Sequence, residues 1–288
     1  EFRRVLFRSV VGSISNDKVA VIDVSDPTDI SIEGTLQDNV STYFDGPRDS
    51  EVFTIGSDLF VIATGTEHGA HIIEIESPTT LTARGGISDA GDTAELEMFI
   101  PQGVDVFTID SNTYAIIAGQ GDDGVQVVDI TNPDSLVAKG SLTDTIPNGE
   151  LDGAFHVKTF EIDNKTYAAV SAPSDDGIQL IDVTNPNSLV AVDSVTDNGI
   201  LELDAVHGID YFTNAGKSYL ISSSYQDDGI QIIELDFTPY VTIGKSVTNF
   251  ISESLTLTDS VVENSDTVVN ISESILFSDS IKIGRAHV

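Results

Sequence analysis

Short apolar runs of strand length alternate along the chain with turns rich in Asp, Asn, Gly and Pro. Residues 155–195 are typical: the runs "FHVKTFEI", "TYAAVSA", "IQLIDV" and "SLVAVDSV" are separated by "DNK", "PSDDG" and "TNPN". β-Branched and aromatic residues favour strands, Asp-Gly favours a tight hairpin, and Pro favours the next turn. The pattern therefore predicts four consecutive strands joined by short turns.

The same unit recurs along the chain. The acidic residue of the third run stands at Asp23, Glu74, Asp129, Asp182 and Glu234, at intervals of 51 to 55 residues. A steady period indicates one repeated structural unit. The second runs "YAIIAG" and "YAAVSA" are apolar on both faces, so both faces of each sheet must be covered. The sequence thus predicts an all-β fold, a β-propeller of four-stranded blades; a linear β-solenoid is the alternative, although its repeats are usually shorter.

The repeat also predicts the domain organisation. We expect four complete blades, at about residues 46–91, 97–145, 150–199 and 201–248, after a partial blade at 10–40 that lacks its first strand. Residues 249–282 have a different pattern, in which "ISESLTLTDSV" is echoed 20 residues later by "ISESILFSDSI". This acidic tail fits a repetitive β-stalk, and it fits a disordered linker equally well.

Both ends of the chain differ from the rest. Residues 1–9, "EFRRVLFRS", and 283–288, "IGRAHV", resemble translated sequencing-adapter DNA, and they carry four of the 13 basic residues. We therefore leave them out of the fold prediction. We expect the natural product to be longer at both ends and this chain to be a metagenomic fragment; an unusual basic terminus is the alternative.

The segments "VVDITNP" and "LIDVTNP", each preceded by "DDG", resemble those of LVIVD-repeat propellers, over about residues 10–245. The chain contains no Trp, which excludes the usual WD40 signature, and it has no paired-Gly kelch pattern. The resemblance implies a propeller, often on secreted or surface proteins, and it implies no single activity. The tail resembles the Ser/Asp-rich repeat tails of marine archaeal surface proteins.

The charge and the composition limit the kinds of partner and site that the protein can have. The net charge of −34 and the pI of about 4.1 argue against nucleic acid as a partner, because phosphates need Lys and Arg. The absence of Cys excludes disulfides, zinc–thiolate sites and a Cys nucleophile, and no apolar run approaches the length of a membrane span. We expect an extracellular or cell-surface protein with a protein or glycan partner at the cell envelope.

Paired aspartates precede Gly in three of the hairpin turns. The pairs are Asp122 and Asp123, Asp175 and Asp176, and Asp227 and Asp228. Ca²⁺ prefers six to eight oxygen ligands, and each turn offers only two carboxylates. The turns are thus candidate Ca²⁺ sites, and hairpin geometry alone is the competing explanation.

Two histidines are candidates for a site in the central channel. His156 and His207 lie near the start of a first strand, and the acids Glu150, Asp152, Glu202 and Asp204 lie close to them in the sequence. Such groups would form a metal or acid–base site; the alternative is a structural His bonded to a neighbouring blade. We expect His68 and His71 to be exposed turn residues, and we assign no catalytic residue.

Two functions remain open. The first is a secreted or surface propeller that acts as a binding or adhesion scaffold on its acidic stalk, which would not be an enzyme. The alternative is a propeller hydrolase or lyase with a metal site in the central channel. Non-equivalent residues that converge at one channel mouth would favour the enzyme, and near-identical residues from every blade would favour the scaffold.

Overall fold

The computed structural model describes residues 8–39, 41–66, 69–89, 96–145, 149–236 and 242–246. Within these ranges the ordered elements are strands. Among the described residues we find no helix that is long and apolar enough to cross a membrane. The acidic tail and His68 lie outside the described residues, and of the adapter-like ends only Arg8 and Ser9 lie within them.

The strands form five antiparallel sheets that follow one another along the chain. The first sheet contains β1 (Arg8–Ser13), β2 (Lys18–Asp23) and β3 (Ser31–Gln37), and the second contains β4 (Ser50–Ile55), β5 (Asp58–Gly65), β6 (Gly69–Ser77) and β7 (Thr80–Ser88). The third contains β8 (Pro101–Ile109), β9 (Asn112–Gly119), β10 (Gly124–Asp129) and β11 (Val137–Thr143). The fourth contains β12 (Val157–Ile162), β13 (Lys165–Ala172), β14 (Gly177–Asp182) and β15 (Val190–Thr196), and the fifth contains β16 (Val206–Asn214), β17 (Lys217–Ser224), β18 (Gly229–Asp236) and β19 (Thr242–Ser246).

The sequence explains the hairpin between the second and third strands of a blade. The residue before the third strand adopts a left-handed conformation, with φ of 50° at Asp17, 52° at Asp123, 53° at Asp176 and 52° at Asp228, and in the last three turns the next residue is Gly. Asp tolerates this conformation better than most residues because its short side chain bonds the local backbone. The recurring "DDG" is therefore first of all a turn sequence.

The repeat period also reflects how the last strand of one sheet meets the next sheet. Gly85 donates a backbone hydrogen bond of 2.7 Å to the carbonyl of Pro133, and Gly140 makes the same bond to Pro186 at 2.8 Å. A Cβ atom at either glycine would lie about 3 Å or less from these backbone atoms. Each of these Pro turns thus packs against, and accepts a hydrogen bond from, a glycine of the preceding blade. This contact fixes the spacing between blades.

The core lies between successive sheets. Each of the four complete sheets carries an aromatic pair from its first two strands: Phe53–Phe60, Phe107–Tyr114, Phe160–Tyr167 and Phe212–Tyr219, with ring centroids 5.2 to 6.0 Å apart. The first three pairs belong to the clusters that bury the second sheet against the third, the third against the fourth, and the fourth against the fifth. Both faces of these sheets are thereby covered, as their apolar second strands require.

The first strands surround the centre. β4 packs on β8, β8 on β12, and β12 on β16, so these four strands line a central channel. The first sheet has no counterpart of these strands among the described residues. The predicted all-β propeller class, with four complete blades and one partial blade, is confirmed.

Candidate functional site

The paired aspartates of the turns bind backbone groups. The first Asp of each pair accepts a hydrogen bond from the loop that leads into its own sheet: Asp122 from the Phe99 amide at 2.6 Å, Asp175 from Asp152 at 2.8 Å, and Asp227 from Asp204 at 2.8 Å. Charge-assisted bonds to backbone amides are among the stronger hydrogen bonds in proteins. These carboxylates therefore fasten the leading loops.

The second Asp of a pair reaches the following sheet. Asp123 accepts from the amide of Gly153 at 2.9 Å, and Asp176 accepts from Ala205 at 2.8 Å. Asp17 of the first sheet makes the equivalent bond to Gly46 at 3.2 Å. We call this contact the interblade clamp, since one carboxylate joins two neighbouring sheets.

The turns do not gather into a calcium-type cage. Within the described ranges, no group of three or more His, Cys, Asp or Glu side chains is placed to hold a metal ion. The backbone bonds described above involve five of the six aspartates: Asp122, Asp123, Asp175, Asp176 and Asp227. The sixth, Asp228, is exposed, and no bond to it is found in the described chain. Ca²⁺ binding by these turns stays a prediction.

His71 differs from its expected position. We expected an exposed turn residue, but His71 lies on β6 and is only 3% exposed. Its ring packs against those of Tyr43 and Phe44, each with a centroid distance of 5.9 Å. Burial lowers the pKa of His71, which makes it a neutral core residue. The expectation was wrong because β6 already begins at Gly69, two residues before His71.

His156 and His207 both lie where the first strands begin. The Ser171 hydroxyl donates to the carbonyl of His207 at 2.6 Å and accepts from the amide of His156 at 3.0 Å, so one side chain links the two backbones. His207 Nδ1 donates to the Ala205 carbonyl at 2.8 Å, which leaves Nε2 as its free nitrogen. His156 Nε2 lies 3.9 Å from Asp49 Oδ2 at the channel.

The acids near these histidines in sequence lie elsewhere. Glu150 Oε1 accepts from the Thr196 hydroxyl at 2.7 Å, and the Glu202 carboxylate lies against Gly229. Asp152 and Asp204 lie beside the clamp residues Asp123 and Asp176. The structure therefore does not join the two histidines and the four flanking acids into one group.

A different set of side chains meets in the channel. Glu51, Asp105, Lys158 and Asp210 stand two residues before the aromatic residues Phe53, Phe107, Phe160 and Phe212 of the four first strands. Their charges act on one another across the channel, and we call them the channel cluster. Sequence reasoning missed this cluster; aligning the first strands on their aromatic residue would have revealed four charged residues at one repeat position.

Asp105 and Lys158 form the fixed part of the channel cluster. The Asp105 side chain is only 5% exposed, and its Oδ2 accepts from both the amide and the hydroxyl of Thr159, at 2.6 and 2.8 Å. Lys158 Nζ lies 3.3 Å from the same oxygen. Burial opposes the charge on Lys158, but the carboxylates of Asp105 and Glu51 outweigh it and raise the pKa of the ammonium. Lys158 is therefore a permanent cation.

Glu51 is the titratable member of the channel cluster. Burial, reinforced by the negative charges of Asp105, Asp49 and Asp210, raises its pKa to about 7, although Lys158 acts in the opposite direction. No hydrogen bond contributes to this shift. A carboxyl group that is uncommitted and half ionised near neutral pH is suited to give and take a proton.

The side chains at the channel mouth, above the channel cluster, differ from blade to blade. The residues five positions before the aromatic residue of each first strand are Arg48, Gln102, Phe155 and His207. The Gln102 amide donates to Gln120 at 2.7 Å, and the ring of Phe155 lies edge-on to His207 at 4.5 Å. Successive blades thus supply different side chains here, whereas their turns are nearly identical. This is the arrangement that we expected of an enzyme rather than a scaffold.

Comparison with known proteins gives the fold. A protein from Lactobacillus plantarum matches with a TM-score of 0.56 and 14% identity, over 82% of this chain and 67% of that one. The periplasmic gluconolactonase of Pseudomonas aeruginosa matches with a TM-score of 0.57 and 12% identity, over 80% of this chain and 63% of that one. The β-fructofuranosidase of Bombyx mori matches with a TM-score of 0.48, at 12% identity.

The chain is a β-propeller. It spans less than two thirds of the gluconolactonase, and at this identity the likeness establishes the fold alone. No family model and no curated protein matches the chain. The leading functional prediction, a binding and adhesion scaffold, is corrected: the gluconolactonase that shares the fold favours the hydrolase alternative over it, and that alternative is taken up below as a proposal.

Proposed function

We propose that this propeller is a hydrolase that opens sugar lactones in its central channel, with Glu51 as the proton-transfer residue. The observation that carries the proposal is the carboxyl group of Glu51, whose pKa of about 7 is set by burial and by three neighbouring carboxylates. The gluconolactonase that shares the fold supports the choice of substrate.

The proposed reaction uses the channel cluster in two steps. Ionised Glu51 takes a proton from a water molecule as its oxygen attacks the lactone carbonyl carbon. The ammonium of Lys158 stabilises the oxyanion that forms. The ring C–O bond then breaks, and protonated Glu51 returns the proton to the departing ring oxygen. The product is a hydroxy acid, and a pKa near 7 suits both transfers.

Asp105 would act as a positioning residue in this reaction. Its carboxylate is held by Thr159 and holds the Lys158 ammonium at 3.3 Å. Its negative charge also helps to keep the proton on Glu51. Removing it would therefore alter both the place of the cation and the pKa of the base.

The mouth residues would contact the sugar. Gln120, held by Gln102, offers its amide nitrogen for a hydroxyl, and His207 offers its free Nε2. Tyr225, which is 77% exposed, lies edge-on to His207 with a centroid distance of 6.0 Å and would cover an apolar face of the ring. Uneven recognition of this kind needs different residues from different blades.

The test is hydrolysis of glucono-δ-lactone by the purified chain, followed by acid release at pH 7 and corrected for the spontaneous reaction. We expect Glu51→Gln to lose about 100-fold or more in kcat, since general acid–base groups contribute factors of about 10² to 10⁴. Glu161→Gln is the matched control, because Glu161 is an exposed glutamate on β12. No hydrolysis by the native chain, or equal rates for E51Q and E161Q, would refute the proposal.

Membership of the LVIVD-repeat propellers and a location outside the cytoplasm are part of the same proposal. The recurring "DDG" and "D-[IV]-T-N-P" segments support the first. The net charge of −34 and the absence of Cys are compatible with the second.

A further inference from the structure

A contact between Asp49 and His156 joins the second and the fourth sheets across the third. His156 Nε2 lies 3.9 Å from Asp49 Oδ2. Both residues stand four positions before the aromatic residue of their first strand, and the residue at that position in the third sheet is Gly103. A Cβ atom at Gly103 would lie only 2.8 Å from the Cα atom of His156. The missing side chain therefore lets the two polar side chains approach each other past the intervening sheet.

Asp49 is a fixed acceptor that is not saturated. The Ser50 amide donates to its Oδ1 at 2.8 Å, and the Val104 amide donates to its Oδ2 at 3.0 Å. Each carboxylate oxygen has two lone pairs, so Oδ2 can accept one more hydrogen bond. The side chain of Asp49 is 30% exposed, and a ligand can therefore reach this oxygen.

His156 is the matching donor. Its Nδ1 is buried, and no hydrogen-bond partner for that atom is found among the described residues. The nearby carboxylate favours the tautomer that carries the proton on Nε2. At 3.9 Å, Nε2 and Asp49 Oδ2 are too far apart for a direct hydrogen bond. One oxygen atom about 2.8 Å from both would accept from Nε2 while its own proton is donated to Asp49.

The pair lies beside the groups of the proposed reaction. Backbone hydrogen bonds continue the ladders of β4 and β12 as far as Asp49 and His156. Strand alternation therefore places Asp49 on the same side as Glu51, and His156 on the same side as Lys158. The negative charge of Asp49 acts on Glu51, which agrees with this placement. Two residues along a strand span about 6.6 Å, which is roughly the width of a sugar ring with its substituents.

We infer that Asp49 and His156 form a hydroxyl-binding subsite, which selects lactones that carry a hydroxyl group on the side of the ring opposite the carbonyl. This hydroxyl would donate to Asp49 and accept from His156 while the carbonyl lies between Glu51 and Lys158. The inference rests on the proposed lactone hydrolysis and names the feature of the substrate that the chain recognises. A site that bonds a hydroxyl discriminates against the analogue without it, because the polar groups of the site are then left unpaired.

The first test compares the native chain with His156→Phe on glucono-δ-lactone and on δ-valerolactone, which has no hydroxyl group. Phe keeps a planar ring and removes the donor. We expect kcat/KM on glucono-δ-lactone to fall about tenfold, mainly through KM, and kcat/KM on δ-valerolactone to stay within about twofold. His156→Gln, which keeps a donor, should retain more of the activity on glucono-δ-lactone. Circular dichroism checks that both variants fold.

The second test does not depend on turnover. Glucono-δ-lactam, an amide analogue that resists hydrolysis, is titrated into the native chain and into Glu51→Gln. The ¹⁵N signal of His156 Nε2 is followed by NMR and is assigned by its loss in His156→Phe. We expect a saturable shift of this signal with glucono-δ-lactam in both proteins, and no shift with δ-valerolactam.

The outcomes separate the subsite from the proposed function. Equal losses on both lactones in His156→Phe, or no saturable shift of the His156 signal with glucono-δ-lactam, would overturn the subsite even if the chain hydrolyses lactones. A saturable shift in a chain that hydrolyses neither lactone would support the subsite and refute the proposed hydrolase.

Discussion

At the residue scale, one repeat position carries three carboxyl groups and one ammonium group. Glu51, Asp105, Lys158 and Asp210 stand at the same place in four first strands, yet Asp105 is buried and bonded whereas Asp210 is exposed. The aromatic pair and the turns recur in the complete blades, and Asp105 in addition bonds Thr159 of the next sheet. This position differs from blade to blade, whereas the aromatic and turn positions beside it hardly vary. We therefore place the function at this position.

Lys158 affects the pKa of Glu51, which gives a prediction about the variant Lys158→Met. The ammonium lowers the pKa of Glu51, so its removal should raise that pKa above about 7. The pH at which activity on glucono-δ-lactone reaches half its plateau should therefore move to a higher pH, and kcat should fall because the oxyanion loses its cation. A pH–rate profile of kcat measures both effects. An unchanged midpoint would mean that Lys158 does not act on the titrating group.

Some of these residues could not be found from the sequence. His156 and His207 were predicted to lie at the channel because they begin first strands, and this stays a prediction. Their predicted acidic partners were wrong, because closeness in the sequence placed Glu150 and Glu202 near them while the leading loops hold those side chains at other strands. The pKa of Glu51 depends on charges contributed by other sheets, which a single segment does not display.

At the element scale, the turns do two tasks with one short sequence. The left-handed Asp of each "DDG" makes the hairpin, and the carboxylates of Asp123 and Asp176 also clamp the next sheet, as Asp123 does with Gly153. Hairpin geometry was predictable from Asp-Gly. The clamp was not, because its partner lies some 30 residues away, on a loop whose path the sequence does not give.

The clamp gives a prediction about Asp123→Ala. Loss of one charge-assisted hydrogen bond between two sheets should lower the free energy of unfolding by about 1 to 3 kcal/mol. Asp123→Asn should lose less, because its side-chain oxygen still accepts from Gly153 and Asn tolerates the left-handed conformation. Urea unfolding measures the differences.

Asp228→Ala is the control for the clamp. Asp228 has the same backbone conformation, with φ of 52°, and no clamp bond to it is found in the described chain. The free energy of unfolding of Asp228→Ala should therefore fall only by the preference of Asp over Ala for the left-handed conformation. Equal losses at positions 123 and 228 would assign the effect to the turn and not to the clamp.

At the scale of the whole molecule, carboxyl groups that lie close to one another determine how the stability of the fold depends on pH. Burial and the charges of Asp144 and Glu150 raise the pKa of Asp175 to about 6, and that of Glu51 is about 7. Burial and the neighbouring clamp residues Asp17, Asp123 and Asp176 also raise the pKa values of Asp45, Asp152 and Asp204. These carboxyl groups disfavour the fold when they are ionised.

We therefore predict that the protein is more stable in mild acid than at alkaline pH. A carboxyl whose pKa is raised by folding contributes stability that is fully present below its unfolded pKa and is lost as pH rises through its folded pKa. Tm should rise as pH falls from 8 to 5, mainly between 8 and 6. Below about pH 4 the trend should reverse, because Thr131 and Thr184 help to lower the pKa values of Asp129 and Asp182 despite burial. Calorimetry at constant ionic strength measures this, and a flat or opposite trend between pH 8 and 5 would contradict it.

The architecture was readable from the sequence, and the reason is physical. A blade is specified locally, by strand-length apolar runs and by turns that need Asp, Gly and Pro, and its neighbours impose a fixed period. Function depends on where blades meet. The channel cluster combines residues from four sheets, so its geometry appears only when the sheets are packed.

The most direct test of the account is the pKa of Glu51 in the folded chain. It can be measured by NMR from the side-chain carboxyl carbons of ¹³C-labelled glutamate, with E51Q to assign the signal. The account predicts a midpoint of about 7, raised by burial and the surrounding carboxylates. A midpoint near the ordinary value of 4.5 would show that Glu51 is ionised and solvated at neutral pH, and the channel would lose its proton-transfer residue.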